Sequence, residues 1–321
     1  MILYIHRERK TQARWIVPLV IAAVMLLVVL AWDYGYAAKA SGKKFSSPDK
    51  AFAAMVDAMK AGSDKGLAAV FGPDSKELFP TPEVTKGETC SHFLQAYEEK
   101  KSVEMVSDKK AVLHVGKEDW PWPIPVVKVG QRWQFDTQEG KKEILARRIG
   151  RNETAAVQVS LAYVDAQHEY ALDHSTAKGL SEYAQKFASD NGKKNGLCWE
   201  VKEGGKQSPL GPELANACKV NYSASQPGSE NPKPYHGYFY KILTKQGPNA
   251  PGGAYDYVVD GKMVGGFALV AYPASHGSTG IMTFIVNQDG IVYQKNLEKD
   301  TAKVAEDMTS FDPDKTWTRV D

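Results

Sequence analysis

Two histidines in turn-like surroundings come nearest to a catalytic set in this sequence. His236 lies in Pro-Tyr-His-Gly-Tyr and His276 lies in Ser-His-Gly-Ser-Thr. A hydrolase would also need a serine nucleophile and an orienting carboxylate, for which the sequence offers Ser275, Ser278, Asp256 and Asp260. No serine lies in the Gly-x-Ser-x-Gly turn that exposes a nucleophile. A hydrolase using His236 or His276 is therefore only a minor alternative.

The remaining histidines and the cysteines indicate a chemical role even less clearly. His168 and His174 do not have the spacing of a helical ligand pair, so we expect no metal ion and no cofactor. Cys198 and Cys218 are a candidate disulfide, worth about 3 kcal/mol for a loop of this size, and two buried thiols are the alternative. Cys90 is expected to be simply buried.

The strongest structural pattern runs from Tyr235 to Leu297 and predicts an antiparallel meander. Asp260-Gly261 is typical of a primed hairpin turn and joins the predicted strands Tyr255–Val259 and Lys262–Tyr272. The second of these strands is apolar on both faces, so both faces must be covered. We expect a helix over 152–172 on one face and either 41–140 or 178–218 on the other.

The amino end predicts a membrane segment. Trp15–Trp32 is 18 residues long without a charge, about enough to span a bilayer. Four basic residues precede it, which predicts a cytoplasmic stub and a body outside the cytoplasmic membrane. Two alternatives stay open: an anchor in the inner membrane, or a signal peptide cleaved after Ala40 and a secreted body.

Charge excludes one class of partner. Residues 41–321 hold 35 basic and 36 acidic residues and contain no basic run. We therefore expect no nucleic acid as a partner. The expected location is the cell envelope, in the periplasm or another extracytoplasmic space.

The order of elements predicts an α+β fold with three parts: residues 1–40, 41–140 and 141–321. In the second part, helices precede a run of strands, as in helices packed on a bent antiparallel sheet. In the third part, Lys141–Leu172 predicts a long helix that Gly150 interrupts, followed by the meander. Leu180–Ala188 predicts a short helix, and the tail predicts an edge strand.

A tryptophan- and proline-rich segment, Asp119–Pro125, stands out between the strands of residues 41–140. Its alternating prolines predict an edge strand or an extended rim. Trp120 and Trp122 are two residues apart, so they should point the same way. They either cover the open end of the core or form an aromatic rim for a partner or glycan.

Three blocks of the sequence resemble a bacterial envelope family, domain-of-unknown-function family 2950. The blocks are DWPWPIPVVKVGQRWQFDT with RRIGRNETAAVQVSLAYVDAQHEYA, the meander from PYHGYFYK to IVYQK, and FDPD near the end. The resemblance covers roughly residues 45–320 and implies no particular activity.

Two more distant resemblances concern the fold. NETAAVQVSLAYVDAQHEYA is similar to the second half of the first helix in type IV pilins and pseudopilins, which implies a pilin-like head for 141–321. The preceding KKEILARR is too polar for a filament core. The element order of 41–140 is similar to the cystatin-like cone of the nuclear-transport-factor superfamily.

We therefore expect a non-catalytic interaction or structural module of the envelope, with an unknown protein or polysaccharide as partner. The alternative is small-ligand binding in the cone, with Trp133 and Phe135 beside the tryptophan pair at its mouth. The candidate interaction or ligand surface comprises Trp120, Trp122, Tyr235, His236, Tyr238 and His276.

Overall fold

The computed structural model describes residues 42–80, 87–177, 179–199, 201, 207–210 and 234–320. The predicted membrane segment Trp15–Trp32 lies outside these residues. Within the described part of the chain, no helix is long and apolar enough to cross a membrane. Helices and antiparallel sheets together give the α+β class that the sequence predicted. The chain forms two compact units that divide between Lys141 and Lys142.

Helices open the first unit. The side chain of Ser47 accepts a hydrogen bond of 3.3 Å from the Lys50 amide, and Pro48 occupies the first turn, so the cap and the proline start the helix together. This first helix buries its apolar stripe completely, with Met55 at 0% exposure. The helices are α1 Pro48–Lys60, α2 Asp64–Phe71, α3 Ser75–Leu78 and α4 Glu88–Glu99.

A bent antiparallel sheet follows, with strand order β1-β2-β4-β5 and β3 pairing with β2. Alternate residues of β2 are buried, which is the pattern of a strand with one face on a core. The strands are β1 Lys101–Ser107, β2 Lys110–Val115, β3 Trp120–Pro121, β4 Val126–Val129 and β5 Arg132–Phe135.

Helix α5, Thr137–Asp173, is continuous, so the predicted interruption at Gly150 is wrong. A β-carbon at Gly150 would meet nothing within 4 Å, and one glycine costs a helix only about 1 kcal/mol. The next prediction, a helix over 180–188, is also wrong. Tyr183 instead donates its amide to Met263, and Gln167 bonds both backbone groups of Ala184. These tertiary hydrogen bonds hold the segment extended.

The second unit contains a five-stranded antiparallel sheet of order β15-β13-β12-β11-β6, a three-stranded sheet of order β14-β7-β8 and the hairpin β9-β10. The meander strands are β6 Tyr238–Leu243, β7 Lys245–Gln246, β8 Tyr255–Asp256, β9 Val258–Val259, β10 Lys262–Met263, β11 Ala268–Pro273, β12 Met282–Asn287 and β13 Tyr293–Asn296. Helix α6 Thr301–Asp307, β14 Ser310–Phe311 and β15 Thr318–Arg319 complete the chain.

The predicted hairpin turn is confirmed, because Asp260 and Gly261 both have positive φ. The two long strands predicted around it are broken into shorter pieces. The carbonyl of Tyr257 accepts hydrogen bonds from the amides of Val264 and Gly265, and Gly266 has a φ of +143°. The backbone therefore leaves the ladder at this point.

Strand β11 is buried along its whole length, as the sequence predicted. One face of the sheet includes Lys241, which donates to the carbonyl of Glu306 in α6. That short carboxy-terminal helix was not among the segments predicted to cover this face. The predicted edge strand in the tail is confirmed as β15, which pairs with β13.

Candidate functional site

The tryptophan-rich segment forms a ledge at the rim of the first unit, defined here as Asp119–Trp122. Strand β3 pairs with β2, and the amide of Trp122 donates to the carbonyl of Leu113 at 2.7 Å. Trp120 is 45% exposed, whereas Trp122 is 8% exposed. The two rings pack edge to face with centroids 6.4 Å apart. The ledge therefore joins an exposed indole to a buried one.

Trp122 belongs to an aromatic core. Its ring lies 4.5 Å from that of Phe93 in α4. Nearby in the same unit, Phe135 packs against Phe52 and Phe71 with ring centroids 5.6 and 4.5 Å away. The indole N–H of Trp122 is buried without a hydrogen-bond acceptor among the described residues. Packing, rather than hydrogen bonding, therefore fixes this ring.

The backbone before Trp120 is held in a strained conformation. Asp119 has a φ of +57°, in the left-handed region that side chains other than glycine rarely adopt. The Nδ1 atom of His114 lies 3.0 Å from the Asp119 carbonyl and 3.2 Å from its carboxylate, and Lys100 Nζ lies 3.0 Å from the same carboxylate. These contacts stabilise the strained backbone and fix the position of the exposed Trp120 side chain that follows it.

The charges around the ledge form one network. His114 Nε2 lies 2.9 Å from a carboxylate oxygen of Glu104 in β1. The hydrogen bond from Lys100 holds the pKa of the Asp119 carboxyl below its ordinary range, and the charge of His114 contributes in the same direction. Because both carboxylates are exposed, solvent screens these attractions, and their main effect is to position the ledge.

The second candidate region comprises the loops 234–237 and 274–280 of the second unit, which we call the histidine loops. The carbonyl of Gly237 accepts a hydrogen bond of 2.9 Å from the Ala274 amide, so the two loops lie side by side. His236 has a φ of +47°, and its ring lies 4.2 Å from that of Tyr235. His276 Nε2 lies 2.9 Å from the side-chain oxygen of Asn296.

Two polar side chains of helix α5 form hydrogen bonds with the backbone at and just after the second of these loops. One carboxylate oxygen of Glu153 accepts the amides of Ile281 and Met282 at 2.8 and 3.0 Å. Asn152 donates to the carbonyl of Thr279 at 2.8 Å. Sequence reasoning missed both residues, since their partners lie almost 130 positions away and no local signal marks them.

Tyr238, predicted as part of the interaction surface, is fully buried beneath the histidine loops. Its hydroxyl donates to the carbonyl of Met282 at 2.9 Å, and burial raises the pKa of the phenol, with the Glu153 carboxylate adding to the effect. A β-carbon at Gly280 would lie 2.1 Å from the same hydroxyl oxygen. The tyrosine therefore supports the loop from below.

Within the residues that the structure describes, the contacts of His236 and His276 involve no carboxylate. His276 bonds to an amide rather than a carboxylate, and Glu153 is committed to the backbone. Asp256 pairs with Lys245, beyond the opposite end of β6 from His236, about 20 Å along the strand. Among the described residues, no group of three or more His, Cys, Asp or Glu side chains is placed to hold a metal ion.

Two of the three cysteines lie within the described residues. Cys90 is buried in α4, and burial raises the pKa of its thiol, which makes it a poor nucleophile. Cys198 is half-buried, and its amide donates to the carbonyl of Phe187 at 2.7 Å. Its predicted disulfide partner, Cys218, lies outside the described residues.

The chain belongs to a family described as "Protein of unknown function (DUF2950)", whose sequence profile matches residues 42–320. This is the family that the three sequence blocks resembled. No curated protein and no solved structure matches the chain.

Proposed function

We propose that this protein is a non-catalytic interaction module of the cell envelope that presents the ledge Asp119–Trp122 to a partner. The observation that carries the proposal is the exposed indole of Trp120 on a backbone fixed by His114 and Lys100. A rigid, exposed tryptophan supplies a large contact area at a low cost in conformational entropy. Strained residues that surrounding contacts hold in place often mark binding sites.

The location in the envelope is part of the proposal. It is supported by the uncharged stretch Trp15–Trp32 and the basic residues before it. The neutral charge of residues 41–321 favours a protein or an uncharged glycan over nucleic acid. An indole face stacks equally well on a sugar ring or an aliphatic side chain, so either partner class fits the ledge.

The fold resemblances also stand as proposals. Helices before a bent antiparallel sheet support a cystatin-like cone for the first unit. A 37-residue helix before an antiparallel meander supports a pilin-like head for the second. The close packing of Trp122 and Phe135 on neighbouring rings favours a filled aromatic core over a ligand cavity in the cone. Fold analogy adds no function by itself.

The test is a pull-down of the full-length chain after chemical cross-linking of intact cells. The Trp120→Ala variant should lose envelope partners that the wild-type chain recovers. The matched control is Val129→Ala, which alters an exposed apolar side chain of the same unit, 47% exposed in β4, and should recover them. Equal recovery by all three proteins, at equal thermal stability, would refute the role of the ledge.

A further inference from the structure

The two edges of the sheet in the first unit differ. At the β5 edge, Phe45 exchanges two backbone hydrogen bonds of 2.7 and 2.8 Å with Trp133. At the opposite edge lies β1, seven residues long and exposed at every position except Val103, which is half-buried. Within the described part of the chain, β2 is the only strand that pairs with β1. A long exposed edge strand is a template for pairing with another strand.

The register of β1 against β2 decides which backbone groups face outward. In an antiparallel ladder, pairs that exchange hydrogen bonds alternate with pairs that do not. Gly116 donates to the carbonyl of Lys100 at 2.9 Å, so that pair is hydrogen-bonded. The carbonyl of Leu113, opposite Val103, instead accepts from Trp122 on the far side of β2. Val103 therefore directs its own N–H and C=O away from β2.

The same alternation applies to the neighbours of Val103. Lys101 and Met105, two residues to either side, also direct their amide and carbonyl groups outward. The register is unbroken from Lys101 to Met105 and shifts between Met105 and Ser107. The regular part of β1 is thus five residues long, centred on Val103, with three outward donors and three outward acceptors.

We propose that β1 pairs antiparallel with β1 of a second copy of this chain, about a two-fold axis beside Val103. In this register Val103 lies opposite its own copy, and Lys101 lies opposite Met105 of the other copy. All six outward groups of each strand are then satisfied, in six hydrogen bonds between the copies. The two sheets join into one continuous antiparallel sheet across the axis.

Side chains support this register. Val103 and Met105 share the face of the sheet that buries Leu113, so pairing extends the apolar face across the axis. The aliphatic stem of Lys101 covers Met105, which is 50% exposed in the single chain. On the other face, the Ser102 hydroxyl lies opposite the Glu104 carboxylate of the second copy, a compatible donor and acceptor.

Charge favours an antiparallel second copy over a parallel one. Side by side in parallel, two β1 strands would place Lys101 opposite Lys101 and Glu104 opposite Glu104, which is destabilising. The antiparallel register opposes no like charges within the five regular residues. The bulge after Met105 ends the ladder, so longer or shifted pairings lose hydrogen bonds.

A cysteine at the two-fold axis tests the pairing directly. Opposed residues of a hydrogen-bonded pair have α-carbons about 5.5 Å apart, within the range a disulfide bridges. Mild oxidation should therefore convert the full-length Val103→Cys variant to a covalent dimer. The matched control is Ser107→Cys, four residues from the axis, whose two copies would lie about 27 Å apart. Equal dimer yields from the two variants would overturn the proposal.

A proline at the same position tests the hydrogen bonds. Val103→Pro removes an outward N–H and keeps the inward bonds of Ser102 and Glu104, so the strand should still pair with β2. The dissociation constant of the dimer should rise at least about tenfold, measured by light scattering over a concentration series. Unchanged dimerisation of a folded Val103→Pro variant would contradict the proposal. If that variant unfolds, the cysteine pair decides alone.

Discussion

The ledge and the histidine loops both combine aromatic and polar side chains, and they differ in what those side chains contact. At the ledge, His114, Lys100 and Asp119 hold the backbone and leave the Trp120 indole exposed. At the histidine loops, Asn152 and Glu153 bond the loop backbone directly, and Tyr238 fills the space beneath. At the ledge, polar side chains hold an exposed apolar ring in place. At the histidine loops, polar side chains satisfy the hydrogen bonds of the loop backbone.

This difference assigns different roles to the two regions. The backbone amides of Ile281 and Met282 are partly buried and need partners, so the Glu153 carboxylate has a structural role. Trp120, by contrast, keeps 45% of its surface exposed while its ring packs edge to face on Trp122. The ledge is therefore the better candidate for a binding surface, and the histidine loops are the better candidate for a structural element.

The largest expected effect is on the free energy of unfolding, and it differs between the two tryptophans of the ledge. Trp122→Ala should lower the free energy of unfolding by about 3–5 kcal/mol, because it empties a packed aromatic site. Trp120→Ala should lower it by less than about 1 kcal/mol, since most surface changes are small. Urea denaturation followed by circular dichroism measures both. Equal losses would mean that Trp120 contributes as much to the core as Trp122.

A smaller loss of stability is expected from removing the Glu153 carboxylate that binds the backbone of the histidine loops. Glu153→Ala should cost about 2 kcal/mol, because two backbone amides lose a charged acceptor. Glu153→Gln keeps an oxygen at the same position and should cost about half as much. The same urea measurement applies, with Ser278→Ala, an exposed side chain of the same loops, as the control. A Glu153→Ala variant as stable as the wild type would show that the loop does not depend on the Glu153 carboxylate.

The smallest expected effect is a pH response at the ledge. The Lys100 hydrogen bond lowers the pKa of Asp119 in the folded chain, so its contribution is present above the ordinary aspartate range of about 3.9. It is lost as the pH falls through the lowered folded value. The indole resonance of Trp120 should therefore shift on acidification in the wild type and not in Asp119→Asn. The same shift in both proteins would contradict the prediction that the Asp119 carboxylate positions Trp120.

Local patterns were sufficient to predict much of the fold. The apolar pattern of Lys262–Tyr272 predicted the buried strand β11, and the turn residues Asp260-Gly261 were correct. These features depend on side-chain periodicity and backbone preference, which a sequence displays directly. The α+β class followed from the order of the elements.

Long-range hydrogen bonds could not be predicted. The apolar spacing of 180–188 fits a helix, yet Gln167 and Met263 hold that segment extended. The left-handed conformation of Asp119 depends on His114 and Lys100, which are brought to it by strand pairing. The sequence located the ledge through its two tryptophans and gave no sign that one is buried and the other exposed.

Photo-cross-linking in living cells tests directly whether the ledge meets a partner. A photoreactive phenylalanine analogue replaces Trp120 in one full-length variant and His276 in another. Trp120 is exposed and His276 is half-buried. Discrete cross-linked products are expected from position 120 and none from position 276. Products from position 276 alone would contradict this expectation, because the histidine loops would then be the surface that meets a partner.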